Sequence, residues 1–167
     1  MKIDIPDEAF RKAAEEGMDA FLELITDAYL EAVGGELTAD AMAKLNGNQH
    51  TLLGYRFFRD EVMDGGFCQL IYNGYGPYIF DNPFAKAMRL WGLHDFSKVV
   101  YKAKKIYDER KEELTRERSD EEFMAMYEQF PEFDDPEDWF VENEEEITAQ
   151  IAYYVDEHLD AFLSDPS

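Results

Sequence analysis

The sequence predicts an all-α protein, a compact single-domain bundle of about six to eight helices with one irregular Gly/Pro-rich joint. Three observations predict it. Apolar residues recur at spacings of three and four along most of the chain, which is the period of an amphipathic helix. Alternating strand patterns are almost absent, and Gly, Pro, Asn and Ser stand where helices would start and stop. The 167 residues are 46% hydrophobic and 15% aromatic, enough for one good core.

The first helix is expected over residues 6 to 33, where Phe10, Ala14, Met18, Phe21, Ile25, Tyr29 and Val33 keep one face apolar until Gly34 and Gly35 end it. A second fits residues 39 to 45. A third fits residues 48 to 63 on Leu52, Leu53, Phe57, Phe58 and Val62, stopped by Gly65 and Gly66. A short apolar helix over residues 67 to 72 leads into the punctuated loop "NGYGPYIFDNP", after which Pro83 suits a first helical turn that runs to Gly92. Asp95 or Ser97 opens a long helix whose outer face carries Lys98, Lys102 and Lys105, the one basic stripe, which continues to Lys111. Ser119 with Glu122 forms a capping box ahead of Phe123, Met126, Tyr127 and Phe130. Pro131 stops that helix. Asp135 before Pro136 starts the last, read as one helix over residues 136 to 163 with Phe140, Ile147, Ile151, Tyr154, Leu159 and Phe162 facing the core.

The charge is extreme and uneven. A formal net charge of −22 repels DNA, RNA and anionic membranes, so direct nucleic-acid or membrane binding is not expected and a basic protein surface is the expected partner. Residues 1 to 40 carry 11 acids and 3 bases, residues 41 to 118 carry 10 acids and 13 bases, and residues 119 to 167 carry 17 acids with no Lys or Arg. A helix that buries Phe140 and Ile147 on one side while setting Asp138, Glu142, Glu145 and Glu146 on the other pays a few tenths of a kcal/mol for each like-charged pair. From Asp134 to Asp160 there are eleven carboxylates, roughly one per 3 to 4 Å of axis, near the spacing of charge along one DNA strand.

The partner-binding candidates are therefore Glu121, Glu128, Asp134, Asp135, Glu137, Asp138, Glu142, Glu144, Glu145 and Glu146, with Glu15, Glu16, Asp19 and Glu23 joining them if the first helix lies alongside. The same charge would also serve a plain solvated surface, and an ordinary acidic adaptor or immunity module is the rival reading.

Catalytic signatures are missing. No Walker loop or dinucleotide fingerprint occurs, and Gly65, Gly66, Gly74 and Gly76 read as turn residues. His50, His94 and His158 belong to no metal motif, no EF-hand loop is present, and Cys68 reads as a small core filler. Neither enzymatic activity, a metal nor a cofactor is expected. With no run of about 18 apolar residues, no signal-peptide pattern and a single cysteine, a cytoplasmic location is expected.

At "YRFFRDEVMDGGFCQLIYNGYG", residues 55 to 76, the chain resembles the bacterial nineteen-kilodalton DNA-mimic protein family. The shared signature is an aromatic helix, an acidic residue, Gly-Gly-Phe, one residue, Gln, an apolar stretch and Asn, here Asp64, Gly65, Gly66, Phe67, Gln69 and Asn73. That motif reads as structural: the glycines turn the chain, Phe67 anchors it, and Gln69 and Asn73 satisfy backbone groups in the joint. The resemblance implies a dimeric protein that occupies the DNA-binding face of a transcription factor and keeps it off its operator. The carboxylate surface, not the signature, would carry that function.

Overall fold

A computed structural model of the protein describes residues 1–36 and 38–164. The described residues contain ten α-helices and no strand: α1 (Asp7–Glu16), α2 (Met18–Ala32), α3 (Ala39–Lys44), α4 (Gly47–Tyr72), α5 (Gly76–Phe80), α6 (Phe84–Leu90), α7 (His94–Leu114), α8 (Asp120–Gln129), α9 (Asp134–Glu157) and α10 (Leu159–Leu163), with a 3-10 turn over Pro131–Phe133 before α9. The fold class is thus all-α. Two of the long expected helices divide, while those expected over residues 48 to 63 and 67 to 72 join across a kink as α4. The expected first helix breaks at Gly17, whose φ of 142° and ψ of 171° suit only glycine, and the expected last helix breaks at His158, with φ −127° and ψ 33°. A further helix, α5, lies inside the joint expected as loop, with Pro77 in its first turn. Pro83 caps α6 rather than entering it. Ser97 is no cap, since its hydroxyl is buried and donates to the Ala85 carbonyl at 2.6 Å.

The chain forms two compact units, Met1–Arg56 with Glu145–Ser167, and Phe57–Glu144. In the first, Phe21, Leu22, Ile25 and Tyr29 of α2, Leu52 and Leu53 of α4, and Ile147, Ile151 and Val155 of α9 are buried. Its polar ties link distant parts of the chain. Tyr29 donates its hydroxyl to the Phe162 carbonyl at 2.6 Å, fully buried Gln49 donates to the carbonyls of Met1 at 2.7 Å and Phe162 at 3.0 Å, and the Ile3 N–H donates to the Leu163 carbonyl at 2.7 Å. Both ends of the described chain are therefore tied into one core.

The second unit is built around an aromatic cluster. The Phe58 ring, 0% exposed, lies 5.5 Å from Phe67, 5.8 Å from Phe84, 5.3 Å from Phe96 and 4.9 Å from Phe140, so one side chain joins α4, α6, α7 and α9. Three of the four contacts are edge-on, the geometry that ring quadrupoles favour. Replacing Phe58 by Ala is expected to cost about 3–5 kcal/mol, transfer and cavity terms together, read as a lowered urea midpoint. The Ser119 and Glu122 capping box is present in full, with side chain to backbone bonds of 3.2 and 3.3 Å at the start of α8.

Candidate partner-binding surface

The expected carboxylates do not all land on the surface. Glu121 and Glu128 of α8 are exposed, as are Asp134, Asp135, Asp138 and Glu142 on the half of α9 that belongs to the second unit. Glu145 and Glu146 are exposed on the half that belongs to the first unit, and so are Glu15 and Glu16 at the end of α1 and Asp19 and Glu23 on α2. The exposed residues of α9 include Asp138, Val141 and Glu142 on the half in the second unit and Glu145, Glu146, Gln150, Tyr153, Asp156 and Glu157 on the half in the first, and none of them is a cation. The buried face reads Phe140, Ile147, Ile151 and Val155. Trp139 is only half-buried.

Glu144 does not belong to that surface. It is 7% exposed, and its carboxylate accepts a hydrogen bond from Arg59 Nε at 2.5 Å, an ion pair within the second unit. Helical spacing turns residue 144 toward the core side, and Arg59 on α4 supplies the cation that makes a buried charge tolerable. Arg59→Ala is expected to destabilise the protein by about 2–3 kcal/mol, below the usual range for a fully buried pair because the arginine side chain keeps some solvent. Replacing both partners by Met should recover most of that loss, and chemical denaturation of the single and double variants checks it.

Glu137 is the second exception. It sits half-buried beside the Gly65-Gly66 kink of α4, where the helix leaves regular geometry at φ −149° and ψ 15°, then φ 75° and ψ −172°. The kink opens a new helical start, and the Phe67 N–H there donates to Glu137 Oε1 at 2.7 Å. On the other side of the kink Tyr127 donates its hydroxyl to the Gly65 carbonyl at 2.6 Å. The backbone of the joint is thus satisfied by Glu137 and Tyr127. Gln69 and Asn73 do something else: Gln69 Nε2 donates to Glu61 at 2.8 Å and Asp64 at 2.9 Å, and Asn73 Nδ2 donates to Glu61 at 2.9 Å. They tie down carboxylates, not main-chain groups, while Phe67 is the buried anchor that its position implies, stacked on Phe133 at 5.4 Å.

Burial raises the Glu137 carboxyl above its ordinary value, with Asp134 and Asp138 adding to the rise and the Phe67 N–H opposing it. The folded protein therefore holds this proton more tightly than the unfolded chain does. The stability that this confers is present below the ordinary carboxylate range and is lost as pH rises through the raised value. Relative to the wild type, Glu137→Gln should lose that pH dependence, checked by thermal melts between about pH 4 and 7.

The basic stripe is partly spent within the second unit. Lys104 pairs with Asp108 at 2.7 Å, Arg110 pairs with Glu113 at 3.0 Å and with Glu132, and Lys111 lies 3.9 Å from Asp81, while Lys98, Lys102 and Lys105 are exposed. Cys68 is buried in an apolar setting, and burial followed by the Glu137 charge pushes its thiol up to about 12, which leaves it inert as a nucleophile. Among the described residues no group of three His, Cys, Asp or Glu side chains is arranged to hold a metal ion, and no helix is long and apolar enough to cross a membrane.

Residues 43–158 match the model of the DMP19-like protein family. Over 144 residues the chain is 31% identical to the DNA mimic protein DMP19 of Neisseria meningitidis serogroup B (strain ATCC BAA-335 / MC58), an alignment that covers 86% of this chain and 87% of that one. The kinked glycines, the buried phenylalanine that follows them and the acidic helices α8 and α9 all fall within the matched span, and the chain belongs to the DMP19-like family.

Proposed function

We propose that this protein is a DNA mimic that binds the DNA-binding face of a transcriptional regulator and blocks operator binding. The observation that carries the reading is the solvent face of α9, a row of carboxylates at helical spacing with no cation in the last 49 residues to neutralise it. A stability-driven surface would mix signs. The name of the DMP19 relative supports the same reading. Contact residues are Asp134, Asp135, Asp138, Glu142, Glu145 and Glu146, with Glu121 and Glu128, and with Glu15, Glu16, Asp19 and Glu23, each set acting from its own exposed helices. Glu137 and Glu144 serve the fold instead. The activity is binding rather than catalysis, it takes place in the cytoplasm, and the working form is a homodimer.

Association should be fast and salt-sensitive, because its long-range part is charge on charge and the Debye length is only about 8 Å at physiological ionic strength. The test is a pull-down from host lysate with this protein as bait and a salt-step elution, followed by a gel shift of the eluted protein on duplex DNA with increasing bait. Displacement of DNA by bait is the expected result. A captured protein that holds DNA and bait together, or that binds no DNA, would instead identify an acidic adaptor.

A further inference from the structure

We propose that a groove in the first unit seats one arginine side chain of the partner, so that the protein recognises a shaped feature as well as a field of charge. This rests on the DNA-mimic reading for the kind of partner, since DNA-binding faces present arginines. The groove, about 200 Å³, lies between the α1–α2 turn and the second half of α9 and is lined by Gly17, Met18, Phe21, Ala152, Tyr153 and Asp156. It is smaller than the roughly 300–1,000 Å³ of a small-molecule site, which suits one long side chain.

Two independent features converge there. Among the described residues of the first unit, Met18, 38% exposed, and Tyr153, 60% exposed, are the large apolar side chains left in solvent, and both line this groove. Asp156 is its one carboxylate, and among the described residues no Lys or Arg pairs with it. Glu15, Glu16 and Asp19 flank Gly17 and Met18 in sequence and are exposed. An apolar floor with one carboxylate in its lining complements a side chain that is aliphatic along its stem and cationic at its tip.

Arginine fits better than lysine. Its planar guanidinium stacks on an aromatic face such as Tyr153 and takes a carboxylate in two parallel hydrogen bonds, whereas an ammonium is a compact, strongly hydrated charge. Duplex DNA offers a phosphate but no thioether and phenol beside it, so this groove separates the partner from other proteins that merely bind DNA.

The experiment is an amide-resolved NMR titration of the full chain with N-acetyl-arginine methylamide, its lysine analogue and its uncharged citrulline analogue at about 0.15 M salt. Saturable shifts confined to residues around Gly17, Met18, Ala152, Tyr153 and Asp156 are expected. Arginine should bind about fivefold more tightly than lysine, and citrulline should give no shift. Tyr153→Ala should weaken arginine binding about three- to fivefold and Asp156→Asn about tenfold, with melting temperatures unchanged because both side chains are exposed. Shifts spread over the carboxylates of α8 and α9, or none at the groove, would overturn the proposal. Groove binding without DNA competition would remove the mimic reading and keep the arginine seat. Competition without groove binding would do the reverse.

Discussion

Gly66→Ala is expected to lower the unfolding free energy by about 3–5 kcal/mol, the sum of backbone strain and a lost charge-assisted contact. At φ 75° and ψ −172° the residue occupies a region that is open to glycine and closed to L side chains. An added Cβ would lie 2.4 Å from Glu137 Oε1 and 2.7 Å from its Cδ, so the carboxylate that accepts the Phe67 N–H must leave. Gly34→Ala is the control, for it shares a positive φ, 87°, but a Cβ there meets nothing within 4 Å. It should cost only about 1 kcal/mol. Adding Glu137→Ala to Gly66→Ala should relieve the clash but not the backbone, and a less than additive loss in urea denaturation would separate the two contributions. Equal losses at Gly66 and Gly34 would show that Glu137 has no part in the joint.

That joint marks the boundary of what sequence reasoning reaches. The Ser119 and Glu122 box is legible because both partners sit within one turn, and the two bonds are present. The fold class and the buried faces of α4 and α9 are legible for the same reason: period is a local property. The break at Gly17 is hidden because Ala14, Met18 and Phe21 keep helical spacing while the backbone turns between them. The helix α5 is hidden because Gly76 and Pro77 look like punctuation. In fact the glycine opens the helix where a Cβ would press 2.8 Å from the Tyr107 ring, and the proline sits in its first turn. Glu137 and Glu144 are hidden most deeply. Their partners, the Phe67 N–H and Arg59, lie 70 and 85 residues away, and a count of carboxylates along one helix carries no information about what packs against it. Of the long acidic run, then, the period identifies the solvent face, but only tertiary structure removes the buried Glu144 and the half-buried Glu137.

Without those two, the exposed carboxylates of α9 can be reversed together. The variant with Asp138, Glu142, Glu145 and Glu146 all changed to Lys should lose at least about a thousandfold in its ability to displace DNA from the regulator, since four exposed charge pairs worth about 1 kcal/mol each become repulsions. Each reversal shifts the net charge by two, from −22 to −14 over the four. The fold should hold or gain, because the excess of negative charge on the whole chain falls and none of the four residues is buried. Thermal melts check that, and gel-shift competition at several salt concentrations checks the function. The wild type should weaken steeply as salt rises, whereas the variant should show a shallower dependence, because the face that steers association has lost its negative charge while the chain as a whole stays acidic. Single Glu→Gln changes on the same face should cost less than about tenfold each, since a distributed field tolerates the loss of one charge; a catalytic carboxylate would not. Charge-reversed protein that still displaces DNA as well as the wild type would move the recognition surface off these four positions. It would leave Glu121, Glu128, Asp134 and Asp135, and the α1–α2 acids Glu15, Glu16, Asp19 and Glu23, as the next sets to reverse.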